Sequence, residues 1–297
     1  MSSKQRRAIA ISIGNSPDRE KLGFPEREVQ RVLLTICTAL IRESCTILYA
    51  GDLRPGGYTL TMFKFLTGTY AGQGVTPFIN VLPEPVVRRL NFQMLMDSAR
   101  AAHGVAKIML AAGGALHPVQ RIGGDLLIGE RGADRQTIRD QAQLSTWLAQ
   151  HPVAGTADGF SFARQAVTSM VQGRVAMGGK MGVIGRANDQ YEGSMPGIAE
   201  EAILSIEAGH AFIPLAAFGG ATRDVAVALG LLLPDAKTPR GEQAPSYSQA
   251  MDRLQQLQDR IPAPQFPRLQ RLANNDSAED LAQEVLALFR EWIPVPS

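Results

Sequence analysis

The chain has 297 residues, enough for one large domain or two small ones, and 45% hydrophobic with 20% charged residues excludes a disordered chain. Lys and Arg number 30 against 28 Asp and Glu, a formal net charge of +2, and the basic residues are scattered, so nothing in the charge asks for a nucleic-acid partner. Cys37 and Cys45, and His103, His117, His151 and His210, show no metal-ligand spacing, so no metal site is expected and the thiols read as reduced.

Met1 to Arg7 carries no apolar signal region, and no stretch of about eighteen apolar residues follows. The expectation is a cytoplasmic protein with no membrane partner. Ala8 to Ile13 is an apolar run that ends in Gly14-Asn15-Ser16-Pro17, a buried parallel strand and its exit turn. Glu26 to Glu43 places Val29, Val32, Leu33, Ile36 and Leu40 at helical spacing. Cys45 to Ala50 is the next strand, Thr59 to Tyr70 a second helix and Val75 to Leu82 a third strand.

The middle of the chain reads as a helix around Asp97 to Ala112, a turn-rich segment over Gly123 to Gly132, and helices over Ala133 to Gln150 and Phe160 to Gly173. Arg174 to Met177 is a short strand opening into Gly178-Gly179-Lys180. Pro196 to Gly209 is helical, Ala211 to Ala216 is a strand, and a further helix runs to Leu232. Pro234 to Pro245 reads as a linker, and Ser246 to Arg260 and Ser277 to Trp292 as amphipathic helices. Strands alternating with helices predict an α/β, Rossmann-like open parallel sheet with helices on both faces, plus C-terminal helices. The expected organisation is one domain over residues 1–235, with 236–297 a linker and helices packed on that domain or at a subunit interface.

Four strand-exit turns carry candidate ligand-binding residues: Gly14, Asn15 and Ser16; Gly51, Asp52, Arg54, Gly56 and Gly57; Gly178, Gly179 and Lys180; and Gly219 and Gly220. Ligands of open α/β sheets bind outside the carboxyl ends of the strands. Glycine there lets backbone approach a ligand, and the following helix offers N–H groups to phosphate. The P-loop pattern, the Gly-x-Gly-x-x-Gly dinucleotide fingerprint and the Gly-x-Ser-x-Gly elbow are all missing, which argues against a P-loop NTPase, a standard dehydrogenase and the common serine hydrolase. In Met195-Pro196-Gly197-Ile198-Ala199-Glu200-Glu201, Pro and Gly start a helix and two carboxylates follow. Either they complement the helix N-terminus, or one of them faces the ligand as a ribose acceptor or an acid–base group.

The segments at 51–57, 178–182, 195–201 and 218–221 resemble the SLOG superfamily, which joins Smf/DprA-like proteins with the Lonely Guy phosphoribohydrolases. The resemblance runs from about Ala8 to Leu233. By the Lonely Guy pattern, Glu201 matches the motif glutamate, Glu200 stands beside it, and Arg164 takes the place of the helix arginine; these are the candidate catalytic residues. Here the Pro-Gly-Gly-x-Gly-Thr-x-x-Glu motif is shortened to Pro-Gly-Ile-Ala-Glu-Glu. That is similar to the branch found in bacterial immunity, where a related domain senses a cyclic ADP-ribose signal. The resemblance implies that Arg164, Lys180 and Glu200 or Glu201 line a site for an NAD-derived or ADP-ribose-like nucleotide.

Three functions follow from this reading. The first is a nucleotide-binding sensor or effector in nucleotide signalling or antiphage defence, with a protein partner of a defence system. The second is an enzyme that cleaves an N-glycosidic bond in NAD or a nucleoside monophosphate. The third is single-stranded DNA handling. Sensor and enzyme stay open at this point. No tightly bound cofactor is expected, and related proteins imply a homo-oligomer.

Overall fold

The computed structural model describes residues 6–72, 76–132, 134–238 and 241–293. Val75 and Ala133, which bounded two expected elements, lie outside the described residues, as do Met1 to Gln5 and positions 239–240 of the expected linker. In chain order the structure contains β1 (Ala8–Gly14), α1 (Glu26–Arg42), β2 (Thr46–Ala50), α2 (Tyr58–Tyr70), β3 (Phe78–Leu82), α3 (Glu84–Val87), α4 (Phe92–Ala101) and β4 (Ala106–Ala112). It continues with β5 (Ala115–Ile122), β6 (Asp125–Ile128), β7 (Gln136–Ile138), α5 (Gln141–Ala149), α6 (Thr156–Ser169), β8 (Gly173–Gly178), α7 (Gly197–Glu207), β9 (Ala211–Leu215), α8 (Gly220–Ala228), α9 (Pro245–Gln256), α10 (Phe266–Ala273) and α11 (Ala278–Trp292). The fold is α/β and Rossmann-like, with mostly parallel strands and helices at the C-terminal end of the chain.

The chain divides into two compact units, one made of Met1–Cys45 with Thr168–Ser297, the other of Thr46–Val167. In the first, β1 pairs in parallel with β8, and β8 with β9. Register is set by Ile9 opposite Gly173 and Gly14 opposite Gly178, so the carboxyl ends of these strands lie side by side. All three strands are buried, as their near-continuous apolar sequences require. Successive strand residues point to opposite faces. A methyl at Gly173 would meet Phe289 of α11 at 2.6 Å, whereas Arg174 bonds Ser205 of α7. Helices therefore cover both faces, α11 on one and α7 on the other. Helix α1 buries its stripe of Val29, Val32, Leu33, Ile36 and Leu40 and packs along α11.

In the second unit β2, β3 and β4 are parallel, and β4 to β7 then run as an antiparallel meander. This corrects the middle of the expected layout. The helix expected over Asp97 to Ala112 ends at Ala101, and Ala106–Ala112 is a strand between β3 and β5. The turn-rich segment over Gly123 to Gly132 holds β6, and the helix expected from Ala133 begins only at Gln141, capped by the Asp140 side chain on Gln143 N–H at 2.8 Å. Near the C-terminal end an additional helix, α10, stands between the two expected ones. No helix among the described residues is long and apolar enough to cross a membrane.

Candidate functional site

The exits of β1, β8 and β9 are built closely against one another. Gly178 (φ +67°) and Gly179 (φ +101°) leave β8 in backbone conformations that favour glycine. A Cβ on Gly178 would lie 2.3 Å from the Gly14 carbonyl oxygen, and one on Gly179 would lie 2.6 Å from Ile198 Cδ1 at the start of α7. Gly220 likewise has no room, with Gly179 O at 2.5 Å from its absent Cβ. Gly179 N–H donates to Gly14 O at 3.0 Å, Ala221 N–H to Gly179 O at 3.1 Å, and the Thr222 hydroxyl to Gly178 O at 2.9 Å. The glycines of these three turns let the turns approach one another. Asn15 beside them is exposed.

Asp18 was not singled out by the sequence reading, which stopped at Ser16. Its side chain is only 3% exposed. Oδ1 accepts from Gly220 N–H at 2.7 Å, the first residue of α8, and from the Ser16 hydroxyl at 3.0 Å. Oδ2 is buried and has no hydrogen-bond partner among the described residues. A carboxylate thus stands where the N-terminus of α8 would draw an anion. The signal for it was an Asp two residues past a strand-exit Ser, a pattern with too many meanings to stand alone.

Helix α7 starts differently. Pro196 precedes it without a side-chain cap, and Gly197, Ile198 and Ala199 N–H take no acceptor among the described residues. Glu200 and Glu201 are 7% and 8% exposed. Glu201 Oε2 lies 3.5 Å from the guanidinium of Arg174, itself 1% exposed. Arg174 also donates to Ser205 Oγ (2.8 Å), Ser12 Oγ (2.8 Å) and Thr168 Oγ1 (3.0 Å), which ties α7 to β1 and β8. Arg174 entered the sequence reading only as the first residue of a strand. Nearby, burial and then the Arg174 charge lower the His210 pKa below 6.5.

The segment between Lys180 and Met195 is held by Asp189, which is 2% exposed. Its two oxygens accept from Met181 N–H (2.7 Å) and Val183 N–H (2.8 Å). Lys180 is half-buried and donates from Nζ to Gln190 O at 2.6 Å, which leaves further donors on the ammonium. Tyr191 meets Ser246 at 2.6 Å and fills the space beside Gly182, where a Cβ would lie 2.3 Å from its ring.

The second unit carries the other predicted residues. Asp52 closes the 51–57 loop on itself: Oδ1 accepts from Arg54 N–H at 3.1 Å and Oδ2 pairs with Arg54 Nε at 2.6 Å. Gly56 has φ +75°, and Gly57 precedes α2 without a side-chain cap. Gly51 packs against the Tyr49 ring and the Thr59 hydroxyl. On β3, Asn80 is fully buried with neither amide atom partnered among the described residues, a costly arrangement that the apolar run of this strand hides. Arg164 on α6 is half-buried, with its guanidinium 5.6 Å from the Phe160 ring centre.

The fold brings together two histidines that the sequence had separated. The His117 and His151 rings stand 4.8 Å apart and both contact Trp147. Burial, and to a lesser degree His151, hold the His117 pKa below 6.5, although its bond to Ala112 O opposes the shift. Among the described residues no group of three or more His, Cys, Asp or Glu is poised to hold a metal. Cys37 and Cys45 are buried; burial pushes the Cys37 thiol up to about 12 and raises Cys45, so neither is an activated nucleophile.

A family model described as SLOG cluster2 matches residues 3–276. No curated protein matches the chain significantly. The matched span contains the three packed exits, the Asp189 loop and the Pro196-Gly197 helix start. The chain belongs to the SLOG superfamily.

Proposed function

We propose that this SLOG protein binds an NAD-derived or ADP-ribose-like nucleotide at the strand exits of its first unit, as a sensor or effector in nucleotide signalling. The start of α7 carries the reading. Three N–H groups without an acceptor among the described residues head an eleven-residue helix whose second residue packs on Gly179, next to Lys180. Backbone donors, a helix dipole and a nearby ammonium suit a phosphate. In this reading Met195, Pro196 and Gly197 shape the approach, and Lys180 neutralises charge. The test is a binding panel of NAD, ADP-ribose, cyclic ADP-ribose isomers and AMP on the purified chain, followed by calorimetry. ADP-ribose or a cyclic isomer is expected to bind, and Lys180→Ala to weaken it about tenfold through loss of one charge-assisted contact. Binding by none of the panel refutes the proposal.

One observation favours a second reading as an N-glycosidase: two buried carboxylates follow the same helix start. Glu201 pairs with Arg174, and Glu200, buried one position earlier on the same helix, is tested as the acid or base. In that case Glu200→Gln keeps nucleotide binding and abolishes release of free base. Absence of released base with wild-type protein, read by chromatography, removes this reading.

A further inference from the structure

Two helices of the first unit begin at the strand exits, and a carboxylate of the protein itself occupies one of them. We infer that Asp18 determines which part of a ligand each exit accepts: it turns phosphate away from the N-terminus of α8 and offers Oδ2 to a ligand hydroxyl. Three observations support this. Asp18 Oδ1 already takes Gly220 N–H at 2.7 Å, the donor that an anion would use. The carboxylate is 3% exposed with no salt-bridge partner among the described residues, so a second negative charge beside it would meet strong, poorly screened repulsion. Oδ2 has no donor among the described residues, although hydrogen-bond acceptors buried this deeply are usually paired.

Gly219 explains how the carboxylate reaches this place. It has φ +75°, and a Cβ there would lie 2.5 Å from Asp18 Oδ1, so any larger residue would collide with the cap. The Ser16 hydroxyl donates to the same Oδ1 and leaves Oδ2 as the oxygen for an incoming donor. A sugar hydroxyl fits this chemistry, because it donates to a carboxylate and brings no charge. The phosphate is then left to the α7 start, where Gly197, Ile198 and Ala199 N–H lack acceptors among the described residues. The naming of a sugar hydroxyl rests on the nucleotide-binding reading above; the exclusion of anions does not.

The experiment is calorimetry on the full chain and its D18S and D18N variants, with inorganic phosphate and ADP-ribose as separate probes. D18S removes the internal anion and makes room at Gly220 N–H; it is expected to bind phosphate about tenfold more tightly than wild type. Crystals of D18S soaked in phosphate should place the ion on Gly220 N–H. D18N keeps an oxygen for Gly220 and Ser16 but removes the charge, and it should bind ADP-ribose about tenfold more weakly, the scale of one charged hydrogen bond. Should D18S fail to fold by circular dichroism, D18N alone decides, because loss of the charge alone should also strengthen phosphate binding. Unchanged phosphate affinity in the folded variants overturns the inference and reduces Asp18 to a helix cap. Tighter phosphate binding by the variants, with no ADP-ribose binding by wild type, refutes the ligand reading but leaves the exclusion of anions standing.

Discussion

Helices α7 and α8 both begin beside glycine turns at the exits of parallel strands, yet their first N–H groups meet opposite fates. At α8 the Gly220 N–H goes to Asp18 and the Ala221 N–H to Gly179 O. At α7 three N–H groups have no acceptor among the described residues, and the buried guanidinium of Arg174 holds the body of the helix through Glu201 and Ser205. A glycine-rich turn is therefore not in itself a ligand cradle. Gly178 and Gly220 are small because neighbouring backbone needs the space and Gly179 because the Ile198 side chain does, while the open donors are the N–H groups of Gly197, Ile198 and Ala199. What separates a packing glycine from a binding one is whether the protein supplies its own acceptor.

The strongest way to break this comparison is to release α7 from its anchor. Arg174→Met leaves Glu201 as a buried charge without its partner and strips three hydroxyls of their donor. Unfolding in urea should show a loss of about 3–5 kcal/mol, the cost of removing one member of a buried ion pair. Adding Glu201→Gln to that background should recover part of the loss; full additivity of the two changes would mean that they do not form an energetic pair.

A smaller effect is expected where the exits touch. Gly178→Ala places a Cβ 2.3 Å from Gly14 O in a left-handed conformation. Strain and overpacking together should cost about 2–4 kcal/mol. An unchanged denaturation midpoint would show that the turns can separate without penalty, which would weaken the claim that these glycines serve packing.

The smallest effect comes from acid. His210 beside Arg174 and His117 beside His151 both titrate below 6.5 in the folded chain. In this range the unfolded chain binds more protons than the folded one, so stability is full above 6.5 and declines as pH falls through it towards the lowered folded values. Melting temperatures measured between about pH 7.5 and about pH 5.5 should fall, and replacing both histidines with Gln should flatten the slope. A wild-type profile without slope over that interval contradicts the assignment.

Some of this is legible in the sequence. The opening strand, α1, the Pro-Gly helix start and β9 follow from apolar runs and helical spacing, because burial on both faces of a parallel strand leaves a plain apolar signature. The stretch Ala106–Ala112 misled, since Ala, Lys, Met and Leu are good helix formers and only pairing with β3 and β5 makes them a strand. β5 was equally silent, because its half-exposed residues carry no clean alternation.

The glycine turns that follow the strands, and the two glutamates that follow Pro196-Gly197 in α7, can be placed along the chain from local chemistry alone. Which of them stays available was decided by contacts across the sequence. Asp18 reaches a helix that begins at Gly220, Arg174 on β8 gathers Ser12, Ser205 and Glu201, and Asp189 latches Met181 and Val183. A lone charged residue in a sequence is read as solvated by default. Only tertiary packing can bury it, and burial turns an ordinary carboxylate or guanidinium into a fixed charge with a fixed partner.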